Sequence, residues 1–196
     1  MIKFIPNILT VARLGLTVVY LFMLLYSPKS GNPTRLLDWA FVIFVIAGLT
    51  DIIDGWMARK FNVTSKFGRI VDPLADKVLV CGSFICFAVI SEPRLFDLPV
   101  KTLRIIHWSV AGILIAREVY VTVIRQLAES KGFNFAATTS GKIKMFLQIF
   151  AIGTVIIKMG HVQSAYWGYW FTSVVFAAMV LATIISGIKA TQRIPF

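Results

Sequence analysis

Acidic side chains are scarce in this sequence: nine aspartates and glutamates stand against twenty lysines and arginines in 196 residues. Charge of either sign is sparse, at 15 % of residues, while 58 % are hydrophobic. That shortage excludes a soluble globular protein, because a chain this small cannot hide so much apolar surface from water. Cysteine is almost missing. Cys81 and Cys86 fall in one predicted helix, five residues apart, which turns them about 140° from each other. They cannot bridge, and they read as small apolar packing residues. The two histidines, His107 and His161, are isolated in sequence. This excludes a His/Cys zinc cluster and marks them as surface or interface residues. No repeat or low-complexity tract appears, so residues 1–196 are expected to form one domain.

What is present in quantity is apolar helix. A membrane-spanning helix needs about 20 apolar residues. Six stretches approach this: Ile8–Tyr26, Leu36–Arg59, Pro73–Ile90, Leu103–Ala128, Gly141–Lys158 and Gly168–Ile188. They predict an all-α integral membrane protein with six transmembrane helices. Pro28, Gly31 and Pro33 mark one loop, and Pro93 and Pro99 another. The first stretch contains Arg13 and lacks a small-residue cleavage pattern, so it is expected to remain as a span rather than leave as a signal peptide.

The formal charge of +11 comes from basic residues that flank the apolar stretches. This suits an anionic membrane surface or phosphate-bearing substrates, and not nucleic acid. The lysine and arginine bias places both termini, and the link Lys60–Val71, on the cytoplasmic side. Tyr166, Trp167, Tyr169 and Trp170 then form an aromatic belt at the opposite interface.

Against that background four acids crowd together: Asp51, Asp54, Asp72 and Asp76. Asp51 and Asp54 lie about 60° apart on a helical wheel, with Gly55 and Ala58 on the same face. Asp72 and Asp76 lie about 40° apart if one helix runs through both; Pro73 would instead allow a helix to start near Asp72. Short-linked spans pack antiparallel, so the four carboxylates can converge. A carboxylate deep in a span costs about 2.5–3.5 kcal/mol on insertion scales, and four would also repel. Hard oxygen donors gathered in this way suit Mg²⁺, Mn²⁺ or Ca²⁺. The competing explanation is a set of interfacial ion pairs with Arg59, Lys60, Arg69 and Lys77.

The spacing D-x2-D-G-x2-A-R-x8-G-x3-D-x3-D, running from Asp51 to Asp76, resembles the signature of the CDP-alcohol phosphotransferase family at every fixed position. Asn7–Arg13, Val71–Val80, Ile115–Glu118 and Gly141–Lys144 are similar to the phosphatidylglycerophosphate synthase branch. Met145 departs from it where threonine is expected. The resemblance implies that family's bundle, and transfer of the phosphatidyl group of CDP-diacylglycerol to sn-glycerol 3-phosphate. It implies two ions, Mg²⁺ or Mn²⁺: one held by Asp51, Asp54 and Asp72, the other by Asp51, Asp72 and Asp76, with Asp76 as general base. Asp54, Gly55, Ala58, Arg59 and Gly68 would meet the CDP-lipid. Arg117, Arg125, Lys142 and Lys144 are the candidates for the acceptor's phosphate. Arg13 and Thr10 can also border the site, and the sequence does not choose. Glu118 follows Arg117 but points about 100° away on the wheel, so it is not expected as an automatic partner.

The resemblance further implies membrane lipids as surroundings, a bacterial cytoplasmic membrane, and a homodimer. Two other functions compete. A cardiolipin synthase would use phosphatidylglycerol as acceptor. A divalent cation transporter would line an ion path with the acids, but such proteins place their sites at mid-membrane in repeated halves.

Overall fold

In a computed structural model the backbone is described at residues 5–61, 66–96, 98–131 and 139–192, and side chains at 10–50, 71, 74–96, 98–128, 130–131 and 139–192. The described residues form six α-helices: α1 (Ile5–Tyr26), α2 (Pro33–Phe61), α3 (Lys66–Ile90), α4 (Val100–Ser130), α5 (Thr139–His161) and α6 (Tyr166–Thr191). A 3-10 turn, Ser27–Lys29, follows α1.

The helices close a ring in the order α1, α2, α5, α6, α4, α3 and back to α1, with α3 also touching α5. Inside it lie Tyr20, Phe44, Phe84, Phe87, Ile152 and Met179. Outside it lies a continuous apolar surface that includes Phe22, Trp39, Ile105, Phe146 and Val174. An exposed apolar coat of this extent belongs against lipid. Small polar residues at the helix interfaces satisfy their hydroxyls on their own helix. Thr17 donates to the Arg13 carbonyl at 2.8 Å and Thr183 to that of Met179 at 2.8 Å, which lets helices approach closely without an unpaired group.

The expectation of six transmembrane helices needs correction. Among the described residues four helical segments are long and apolar enough to cross a membrane: Thr10–Lys29, Pro33–Thr50, Thr139–His161 and Tyr166–Thr191. Helices α3 and α4 do not join them. Of the apolar part of α3 only residues 74–90 are described, which is short for a span, and Lys101, Arg104, Arg117, Glu118 and Arg125 are spread along α4. The bundle is all-α, as expected. Helix α3 also begins earlier than Asp72 and runs through Pro73, so Asp72 and Asp76 sit one turn apart on one helix.

Helix α1 is tied to α3 at a buried pair, Tyr20 Oη and Ser83 Oγ, 3.0 Å apart. Ser83 donates its own proton to the Leu79 carbonyl at 2.6 Å, so tyrosine is the donor. Tyr20→Phe removes that bond and is expected to cost about 0.5–1.5 kcal/mol, seen as a lower thermal midpoint in detergent. An unchanged midpoint would mean the bond contributes nothing.

Candidate active site

Asp51, Asp54, Gly55, Ala58 and Arg59 belong to the last turns of α2, while Gly68, Asp72 and Asp76 belong to α3. Both helices pack against α1 and, less closely, α5, so α1 is a neighbour that the two halves of the motif share. The side chains of Asp51, Asp54, Ala58, Arg59 and Asp72, and the surroundings of Gly55 and Gly68, lie outside the described residues, as do those of Lys60, Lys66 and Arg69. Asp76 is described. Its Oδ1 accepts a hydrogen bond from Arg13 Nη1 on α1 at 3.1 Å.

This contact brings Arg13 beside Asp76. Arg13 is 1 % exposed, and Thr10, buried one turn earlier, lies on the same side of α1. A guanidinium taken out of water needs an anion, and Asp76 is one it reaches. The Asp76 side chain keeps 36 % of its surface accessible, so it remains reachable from outside the bundle. Lys77, one of the expected ion-pair partners for the acids, turns instead to α4 and donates to Thr122 Oγ1 at 2.5 Å.

A second cluster forms where α4, α5 and α6 meet. Arg117 donates from Nη1 to Glu118 Oε1 at 3.1 Å and from Nη2 to Ser186 Oγ at 2.5 Å. Lys144, 6 % exposed, donates to the same Glu118 oxygen. Glu118, which the helical wheel did not make an automatic partner, does pair with Arg117. Neighbouring Cα–Cβ vectors diverge on a helix, but two long side chains can bend back to each other, and Lys144 arrives from α5 to hold the carboxylate. Two cations share one carboxylate, which leaves the cluster with a net positive charge. Lys142 and Arg125, the other two candidates for this pocket, are exposed and form no ion pair among the described residues.

The two clusters are joined through α3 and α4. Lys77 follows Asp76, bonds Thr122, and Thr122 Oγ1 donates to the Glu118 carbonyl at 2.6 Å. Sequence reasoning missed Glu118 as a member. The available signal was its rarity, as one of nine acids placed within an otherwise apolar run.

Among the described residues no group of three or more His, Cys, Asp or Glu side chains could hold a metal ion. The histidines stand apart from both clusters. His161 Nε2 lies 2.7 Å from Asp38 Oδ1 near the surface. His107 is 2 % exposed, so of the expected surface or interface positions the exposed surface is ruled out: it packs into the bundle from α4. Both cysteines are free, with Cys86 buried, in keeping with a packing role.

Residues 3–186 match the family described as CDP-alcohol phosphatidyltransferase. A protein of Mycobacterium tuberculosis named as a probable phosphatidylglycerophosphate synthase is 35 % identical over 192 residues, 96 % of this chain and 80 % of that one. A CDP-diacylglycerol–glycerol-3-phosphate 3-phosphatidyltransferase of Bacillus subtilis is 31 % identical over 191 residues, 93 % of this chain and 91 % of that one. A protein of the same name from Rickettsia bellii is 30 % identical over 154 residues, 78 % of this chain and 75 % of that one.

Proposed function

From the premise that the chain belongs to the CDP-alcohol phosphatidyltransferase family, we propose that it transfers the phosphatidyl group of CDP-diacylglycerol to sn-glycerol 3-phosphate. The products are phosphatidylglycerophosphate and CMP. It is a multi-pass membrane enzyme of phospholipid biosynthesis. The observation that carries the choice of acceptor is the buried pair of cations, Arg117 and Lys144, gathered on one carboxylate. An acceptor with a phosphate of its own needs such a pair; serine or a neutral alcohol does not.

The donor set of the motif is four carboxylates, whose hard oxygens suit Mg²⁺ or Mn²⁺, and Asp51, Asp54, Asp72 and Asp76 would hold two such ions. Bound there, the metal would neutralise the diphosphate and stabilise the attacking and leaving oxygens. The chain's own residues do the rest. Arg13 holds the Asp76 carboxylate, which would take the proton from the acceptor hydroxyl as its oxygen attacks the phosphorus bearing the lipid. The phosphorus–oxygen bond to CMP breaks, and CMP leaves with the electron pair. Asp76 is a weak base for this task, so positioning must supply much of the effect. Arg59 would contact the diphosphate. Gly55, Ala58 and Gly68 would let the cytidine and phosphates approach the helix backbone. Arg117 and Lys144 would exchange Glu118 for the acceptor's phosphate, a trade of one anion for another that leaves no cation bare. Arg125 and Lys142, exposed nearby in the chain, would draw the anionic acceptor in.

A site near the cytoplasmic interface leaves the acyl chains in the leaflet while the headgroup is reached from water. The basic bias places that interface and both termini in the cytoplasm of a bacterium. The test is an acceptor panel. Purified protein with CDP-diacylglycerol is offered glycerol 3-phosphate, phosphatidylglycerol, serine or an inositol phosphate, with and without chelator, and CMP release is followed. Release is expected with glycerol 3-phosphate alone, and none after chelation. Release with phosphatidylglycerol and not glycerol 3-phosphate would overturn the acceptor; chelator-resistant turnover would overturn the metal.

A further inference from the structure

At the far end of the bundle lies a second polar site that the reaction does not use. Lys158 is on the same helix as Lys144, fourteen residues on, or about 21 Å along α5. It is 4 % exposed. A lysine near the end of a span ordinarily extends its ammonium to the interface; this one is packed inside, with Nζ 4.5 Å from the centroid of the Tyr169 ring. No carboxylate among the described residues pairs with it. The nearby Glu92 is engaged by Arg94, whose Nε lies 3.5 Å from Oε1 and whose backbone N–H donates to Oε2 at 2.8 Å. The α5 C-terminus offers its carbonyl dipoles, and the ring offers its face, but neither is an anion.

The space beside Lys158 is built for one. Lys158, Glu92, Arg94, Gln163, Ser164 and Tyr169 line a cavity of about 400 Å³, within the size range of small-ligand sites. With Glu92 matched by Arg94, the net charge of the described residues that line the cavity is that of Lys158. The same lysine also lines a groove of about 190 Å³ on the outer face of α5 and α6, whose walls include Phe150, Ile157, Trp167 and Phe171. A polar, cationic cavity and an apolar groove therefore meet at one lysine. Exposed Tyr166, Trp167 and Trp170 surround the start of α6, the residue types that settle at headgroup depth.

We propose that this cavity binds the phosphate of an anionic phospholipid headgroup from the leaflet opposite the catalytic aspartates, with an acyl chain lying in the α5–α6 groove. Free phosphate would satisfy Lys158 equally, but would leave the adjoining groove unused.

The full chain, stripped of lipid in detergent, is given phosphatidylglycerol, phosphatidylcholine with the same acyl chains, or inorganic phosphate. Retained lipid is read by native mass spectrometry and the unfolding midpoint by heating. Wild type is expected to retain phosphatidylglycerol in preference to phosphatidylcholine and to unfold at a higher temperature with it. Lys158→Met should weaken that retention about tenfold, the scale of one charge-assisted contact, while its lipid-free midpoint stays at or above wild type. Arg94→Gln, at an exposed position, should weaken it less. Equal retention by Lys158→Met, equal retention of phosphatidylcholine, or a full shift from inorganic phosphate alone would overturn the proposal. No arm depends on turnover, so failure here is separate from failure of the proposed reaction.

Discussion

Asp76→Asn is expected to lower CMP release by about 10²–10⁴-fold, the usual contribution of a positioned general base, with the protein still folded. The substitution is nearly isosteric. Asparagine keeps an oxygen that can accept the 3.1 Å hydrogen bond from Arg13, so the contact of α1 with α3 can be kept, with some loss of stability because the buried guanidinium loses a charge partner. What is lost is the negative charge and the ability to take a proton. A purely structural Asp76 would behave differently, because its work would be to balance buried Arg13, and the variant would then lose stability before rate. Rates under saturating donor and acceptor, measured alongside helical content and the thermal midpoint, separate the two. Turnover within a few-fold of wild type would remove Asp76 from the chemistry. A collapse of the fold with no intrinsic loss of rate would make it a counter-ion only.

Lys144→Met is expected to reduce kcat/KM for glycerol 3-phosphate by about 30-fold or more, which corresponds to losing about 2 kcal/mol or more from a buried charge contact. The loss should appear chiefly as a higher KM for the acceptor, with the KM for CDP-diacylglycerol little changed. Methionine fills similar space without charge, and Lys144 is nearly enclosed, so the variant should fold. Glu118 would still be held by Arg117. Glu118→Gln acts on the same cluster from the other side: it keeps a hydrogen-bond acceptor for Arg117 but releases both cations from a competing anion. Its acceptor KM should fall or stay level while Lys144→Met raises it. Equal losses of kcat for Lys144→Met with every acceptor would show that the cluster braces helices and does not read phosphate.

The acceptor cluster shows how far residue patterns reach. Arg117 and Lys144 drew notice because each is a charge within or beside an apolar stretch. Glu118 did not, because a helical wheel compares directions at Cβ and ignores how far long side chains can bend. Arg13 was visible as a charge in the first span, but nothing local said which acid it would meet; its partner is 63 residues away. Lys158 read as one more basic residue at a span end. Its burial against Tyr169 depends on how α6 packs on α5, and no periodicity encodes that. The count of spans failed for a related reason. Length and apolar content suggest a span wherever a long stretch is mostly apolar, but charges are distributed along α4, and of the apolar part of α3 only residues 74–90 are described.

By itself the sequence determined residence in lipid, an all-helical bundle and the register of Asp51, Asp54, Asp72 and Asp76, because composition and helical period act over a few neighbouring residues. Only the tertiary structure decided that Arg13 grips Asp76, that Glu118 joins Arg117 to Lys144, and that Lys158 is enclosed. Each of those pairings is chosen by which helices touch and at what height, and that choice is made by the packing of the whole ring rather than by any segment of it.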